Sequence, residues 1–147
     1  MNAATQALAP GTQLGVTEDM ITELVHAFYA AVRHDPAIGP IFARAIETDG
    51  WPAHLARLVD FWSSVLLMSG RFKGSPIVMH LALGELRPTH FARWLHLFGQ
   101  TAKAVWPADA AALVIQKSEL IARSLQLGVE TQRDRQRALQ FQPVSAR

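Results

Sequence analysis

Residues 17–34 read TEDMITELVHAFYAAVRH. Ile21, Leu24, Val25, Phe28 and Val32 recur at helical spacing and line up as one apolar stripe. Thr17 is placed to cap the N-terminus, with Glu18 and Asp19 in the first turn and Arg33 and His34 in the last. That is the charge order a helix dipole favours. The same period returns along the chain. Residues 51–68 predict a helix with Leu55, Leu58, Phe61, Trp62, Val65 and Leu66 facing inward, ended by Ser69-Gly70. Pro88 opens a helix to about Trp106, buried through Phe91, Trp94, Leu95, Phe98, Ala102 and Val105. Asp109 caps a last one to near Gly128, with Leu113, Val114, Lys117, Leu120, Ile121 and Leu125 as its stripe. Asp35-Pro36 reads as a cap and first-turn proline for a short segment to Ala45. Pro76 can start a very short helix to about Leu83. No segment alternates with period two, so the expected fold class is all-α, with about four substantial helices and two short ones.

The remaining segments are polar or small. Residues 1–16 read as a flexible arm, 17–128 as the folded domain, and 129–147 as a polar, basic, disordered tail containing Arg133, Arg135, Arg137 and Arg147. The 147 residues suit one domain, half of them are hydrophobic, and only 18% are charged, so the core material is ample. A pI near 9.5 reflects a net charge of only +2. No basic stripe with interleaved aromatics appears, which argues against nucleic acid. The chain has no cysteine, which removes disulfides, thiolate catalysis and iron–sulfur clusters. No run of 18 apolar residues suggests a membrane span, and the N-terminus makes a poor signal peptide. A cytoplasmic location is the expectation.

The chemistry then rests on six histidines, His26, His34, His54, His80, His90 and His96. No HExxH pair occurs, and His90 and His96 are badly spaced for one helical face, so a protein-only zinc site is poorly supported. Haem asks for less, because the porphyrin supplies four nitrogens and the protein needs one imidazole and an apolar slot. His80 sits among Val78, Met79, Leu81 and Leu83 after a glycine loop. Its Nδ1–H can donate to the Pro76 carbonyl, leaving Nε2 for iron. Spacing alone favours a surface or capped histidine on a short helix there. Tyr29 is the only tyrosine; its phenol needs a partner if buried, either a nearby carbonyl or a bound polar ligand. Trp94 offers an indole N–H, a donor only, to a ligand or to nothing more than the core. His54 can guard a pocket, bind iron as a sixth ligand or face solvent. Arg57 is a candidate for a haem propionate, with Arg71, Lys73 and Arg93 behind it.

These residues fall in a familiar order. The stretch from Phe28 to Phe42, the run Trp51-Pro52-Ala53-His54 leading to Phe61-Trp62, Phe72-Lys73-Gly74-Ser75-Pro76 with His80 four residues on, and His90 to Phe98 together resemble the group III truncated haemoglobins. The resemblance covers about residues 17–128. It implies a shortened globin in which a two-over-two helical sandwich encloses haem b. It implies His80 as proximal iron ligand, Tyr29 and Trp94 as ligand hydrogen-bond donors, and His54 as gate. It further implies Phe28, Phe42, Leu58, Phe61, Trp62, Met79 and Phe91 around the macrocycle, with Arg57 at a propionate. Phe72 stands where the family often has tyrosine. The implied function is binding of O2 and other small ligands (NO, CO, cyanide, peroxide) with slow O2 release. Redox chemistry on the ligand would follow, either nitric-oxide dioxygenation or peroxide reduction, fed by an unknown reductase. The competing readings are a haem-based ligand sensor and a haem-free helical interaction domain.

The two classes separate in one spectrum. Expression with adequate haem should give a Soret band that His80→Ala abolishes or strongly weakens; a colourless protein of unchanged stability would favour the interaction domain.

Overall fold

The computed structural model describes residues 8–74 and 86–140. The short helix expected from Pro76, and with it Met79 and His80, lies outside the described residues. The described residues form six α-helices: α1 (Pro10–Gln13), α2 (Glu18–His34), α3 (Gly39–Ala45), α4 (Trp51–Leu67, entered through a 3-10 turn at Thr48–Gly50), α5 (Pro88–Val105) and α6 (Ala108–Gln140). Among the described residues there is no strand. The helix boundaries follow local chemistry. The Thr17 hydroxyl accepts from the Met20 N–H at 3.2 Å, satisfying one orphan donor of α2, an arrangement worth about 1 kcal/mol. Prolines occupy the first turns of α3, α4 and α5. Met68, with φ 55°, and Gly70, with φ 70°, turn the chain out of α4.

The helices form two packed pairs. α2 lies against α4, α5 lies against α6, and α2 also meets α5 to join the pairs. Each apolar stripe faces the shared interior. Ile21, Leu24, Val25, Phe28 and Val32 of α2, Leu58, Trp62 and Leu66 of α4, and Phe98 and Ala102 of α5 are all buried in one cluster. Truncating a ring as deeply buried as Phe98 costs about 3–5 kcal/mol. A second, smaller cluster joins Ile41, Leu86, Phe91, Ala122 and Leu125.

Three expectations are corrected. First, Asp35 does not cap α3. It ends α2, and its Oδ2 accepts the Ala37 and Ile38 N–H groups, both at 3.0 Å, holding a separate turn before α3 begins at Gly39. Second, the α6 stripe is not the one its large residues suggest. Leu120 is 49% exposed, whereas Ala110, Ala111, Val114, Ser118, Ala122, Leu125 and Val129 are buried. Small side chains let α6 approach α5 closely, and a count of large apolar residues misses them. That stripe runs past Gly128 to Val129, and the helix continues to Gln140 without a buried residue, where the sequence predicted a disordered tail. Third, the stretch before Thr17 is packed where it is described. Ala9, Gly11 and Val16 are buried. A Cβ on Gly11 would come within 2.7 Å of the Leu66 carbonyl oxygen, so only glycine lets α1 sit this close to α4.

The small-residue stripe is testable. Ala122→Leu should overpack the α5–α6 seam and lower unfolding stability by about 1–3 kcal/mol, read as a drop in the urea midpoint with an unchanged slope.

Candidate functional site

The site grows from one ring. Phe28 of α2 makes edge contacts with Tyr29 (centroids 4.8 Å), Trp94 (5.2 Å) and Phe98 (5.1 Å). Trp94 stacks on Phe98 at 5.3 Å and 8°, and Phe98 stacks in turn on Trp62 at 5.2 Å and 20°. The Trp94 indole is therefore held on its face and its edge. Tyr29 is 4% exposed. Around it stand Phe42 at 5.9 Å, Trp51 at 6.0 Å and His54 at 5.7 Å, the last edge-on at 90°. Trp51 meets His54 edge-on as well, at 5.5 Å, and carries the Arg33 guanidinium over its ring at 4.7 Å.

The polar atoms within this aromatic wall decide its chemistry. Burial pushes the Tyr29 hydroxyl well above the usual tyrosine range, and the neighbouring Trp94 side chain opposes that shift only in part. Tyr29 therefore stays a phenol and can donate. The Trp94 indole lies near that hydroxyl, yet its buried Nε1 makes no hydrogen bond of regular geometry. Trp106 shows the ordinary arrangement, its Nε1 donating to the Met20 carbonyl at 2.9 Å. A buried donor without an acceptor costs about 1–3 kcal/mol, so an acceptor at Trp94 would be favourable. Trp94 and Phe42 also line an apolar cavity of about 30 Å³ with Ile38, Ile41, Leu86, His90, Phe91, Ala122 and Leu125. It has room for a molecule the size of water.

Ion pairs set the walls. Arg93, next to Trp94, reaches Asp35 with Nε at 2.8 Å and Nη2 at 2.7 Å. The Arg93 guanidinium holds the Asp35 carboxyl below the usual carboxylate range, helped by the Ile38 and Ala37 N–H groups and opposed by burial. Arg71 is bound to Glu18 and Asp60. Neither arginine is thus open to a propionate in the way the sequence allowed. Arg57 is exposed, its Nη2 near Gly74, and Lys73 is exposed too.

The structure brings together Phe28, Tyr29, Phe42, His54 and Trp94, and sets Phe91 in the adjoining cavity. Leu58 and Trp62 belong to the core behind them. Phe61 bridges Trp62 and Phe72, at 5.4 and 5.2 Å. The sequence reading missed Trp51 as a wall of the Tyr29 pocket; its signal was there, an aromatic in the first turn of α4, one turn before His54. It also missed Ile38, Ile41, Leu86, Ala122 and Leu125, which only packing assembles. Among the described residues no three His, Cys, Asp or Glu side chains gather to hold a metal ion.

A group 3 truncated haemoglobin of Campylobacter jejuni is 33% identical to this chain over 113 residues, covering 76% of this chain and 89% of that protein. The chain belongs to the group III truncated haemoglobins. The crystal structure of a group III truncated haemoglobin from the same organism superposes with a TM-score of 0.72, at 33% identity and with the same coverage. No protein-family profile matches the chain. The helical architecture of the chain matches the truncated globin fold. Among the described residues no helix is long and apolar enough to cross a membrane.

The Asp35–Arg93 pair gives a pH prediction. The folded pKa of Asp35 is depressed, so its contribution is complete above the unfolded value near 3.9 and is lost as pH falls through the lower folded value. Urea midpoints of the wild type and Asp35→Asn should differ by a constant amount down to about pH 4 and draw together only as the pH falls further.

Proposed function

We propose that this globin binds haem b through His80 and takes up O2 and other small ligands, NO, CO, cyanide and peroxide, beside Tyr29 and Trp94. The observation that carries the reading is the buried Nε1 of Trp94, without a hydrogen bond of regular geometry, beside the Tyr29 phenol that burial keeps protonated. Two donors in a dry aromatic pocket suit a small ligand with partial negative charge. The other histidines support the choice of His80. His26, His34 and His96 are exposed. His90 lines the cavity, but its Nδ1 accepts the Arg87 N–H at 3.0 Å. The neutral ring then carries its proton on Nε2, which makes that atom a donor and not a metal ligand. His54 stands with Tyr29, where an imidazole serves as the gate.

The residues present fit the macrocycle. Phe42, Phe91, Ile41 and Leu125 supply apolar surface beside Trp94, and Arg57 is exposed on α4, from where it would meet a propionate. Bound haem supplies the iron that coordinates the ligand. The chain's own part is to exclude water, to hold Trp94 against Phe28 and Phe98, and to donate from Tyr29 and Trp94. Each such bond in a dry pocket, at about 1.4 kcal/mol, slows ligand release about tenfold, and the pair about a hundredfold. Release that slow is unsuited to transport. It suits conversion of the ligand in place, by nitric-oxide dioxygenation or peroxide reduction, with electrons from a partner reductase. We place this chemistry in the cytoplasm.

Tyr29→Phe and Trp94→Phe should each speed O2 dissociation about tenfold in stopped-flow measurements. In the wild type the rate should stay flat up to about pH 10, since Tyr29 does not ionise there. Unchanged rates in both variants would remove the donors from the site.

A further inference from the structure

A cleft of about 430 Å³ opens where the end of α2, the helix α3 and the start of α4 meet. It is far roomier than the cavity of about 30 Å³ beside Trp94. Arg33, Glu47 and Thr48, all exposed, give it a polar rim, Ala43 and Ile46 line its side, and Trp51 closes its inner end. The Trp51 indole is only 4% exposed, with the Arg33 guanidinium over its ring at 4.7 Å. On its other side it meets Tyr29 at 6.0 Å and His54 at 5.5 Å. One indole therefore separates a solvent-facing cleft from the pocket that holds the Tyr29 phenol.

This closure is lightly fastened. Arg93 and Arg71 are held by carboxylates at 2.7 to 3.0 Å. Arg33 is not: among the described residues its one partner is the Trp51 ring. An exposed cation–π contact favours the closed position by only about two- to fivefold, so the guanidinium leaves the ring often. The backbone under Trp51 is loosely held as well. The indole enters α4 from the 3-10 turn Thr48–Gly50, and neither that turn nor α4 has a side chain capping its first N–H groups. The turn's own bond runs from the Gly50 N–H to the Glu47 carbonyl at 2.9 Å. An uncapped, exposed turn is a segment that opens locally at low cost.

We propose that this cleft is the entrance for O2 and other small ligands, with Trp51 as its door and Arg33 as the latch on that door. This rests on the reading of Tyr29 and Trp94 as a ligand pocket at haem. A diatomic ligand passes when Arg33 lifts from the ring and the indole turns outward into the cleft, where there is room for it. His54, edge-on to the same indole, stands behind the door, so cleft and gate lie in series. A door changes how fast a ligand moves, not how well it is held. Association and dissociation then change by one common factor, and the affinity stays the same. Loss of a donor at Tyr29 or Trp94 acts differently, on release alone.

The test uses CO with the full-length ferrous haem protein: association by flash photolysis, dissociation by stopped flow, and the C–O stretching band by infrared. Arg33→Ala should speed association and dissociation by one common factor, about threefold, the weight of one exposed cation–π contact. Ala43→Trp, which fills the exposed side of the cleft, should slow both by at least as much. Neither residue touches the donors, so the C–O band should keep its position in both variants. Trp51→Ala should speed association further, and Arg33→Ala should add nothing in that background, since a latch acts only through its door. If Trp51→Ala does not fold, the two surface variants carry the test. Unchanged association in Arg33→Ala and Ala43→Trp, or a change confined to dissociation, would overturn the entrance and leave the pocket reading in place. A chain that takes up no haem, or a haem protein that forms no CO adduct, removes the pocket reading and the entrance together.

Discussion

The ring of Phe98 stacks on two indoles, Trp94 and Trp62, and meets Phe28 edge to face. This stack joins α2, α4 and α5 in one place, and the site depends on it. An indole inserted without such support would have several rotamers. Here one orientation survives close packing, and it leaves the Nε1 of Trp94 buried without a regular partner. The interaction that stabilises the core also creates the unmet donor. Function and stability meet at a residue that is both part of the stack and part of the pocket.

Charged groups surround this core without entering it. Asp35 and Arg93 tie the α2–α3 corner to α5 one residue from Trp94. Arg33 covers Trp51 from outside, and Arg71 ties the exit from α4 to the start of α2. Three arginines are thus occupied as braces around a pocket whose own lining is apolar or aromatic. Tyr29 feels the consequence: its hydroxyl is held in the neutral form by burial, which the Trp94 side chain opposes only in part. A phenol in that state is a hydrogen-bond donor over the whole physiological pH range, which is what a pocket for weakly polar ligands requires.

Close approach of backbones is the second theme. Gly11 sits on the Leu66 carbonyl, and α6 meets α5 through alanines and a serine as much as through leucines. Such contacts bring Ala122 and Leu125 into the same cavity as Phe91 and Trp94. Periodicity of large apolar residues does not register them, since a small residue contributes by what it leaves out.

The sequence by itself determined the all-α class and the starts of α2, α4 and α5, and its resemblance to the family named Tyr29, His54 and Trp94 together as candidates, side chains that the structure brings close. Strong 3.6-residue stripes and local caps act within a single helix, and the four ordered motifs carry the family. Tertiary structure alone decided that Arg71 and Arg93 are committed to carboxylates and that Asp35 holds a turn and an arginine instead of a helix start. It also decided that α6 buries its small face as far as Val129, and that the Trp94 Nε1 lacks a regular partner where that of Trp106 has one. The reason is range. A cap or a stripe is set by neighbours within a turn or two, whereas Arg71 lies 53 residues from Glu18 and Arg93 lies 58 from Asp35. Partners that distant are chosen by how the helices pack.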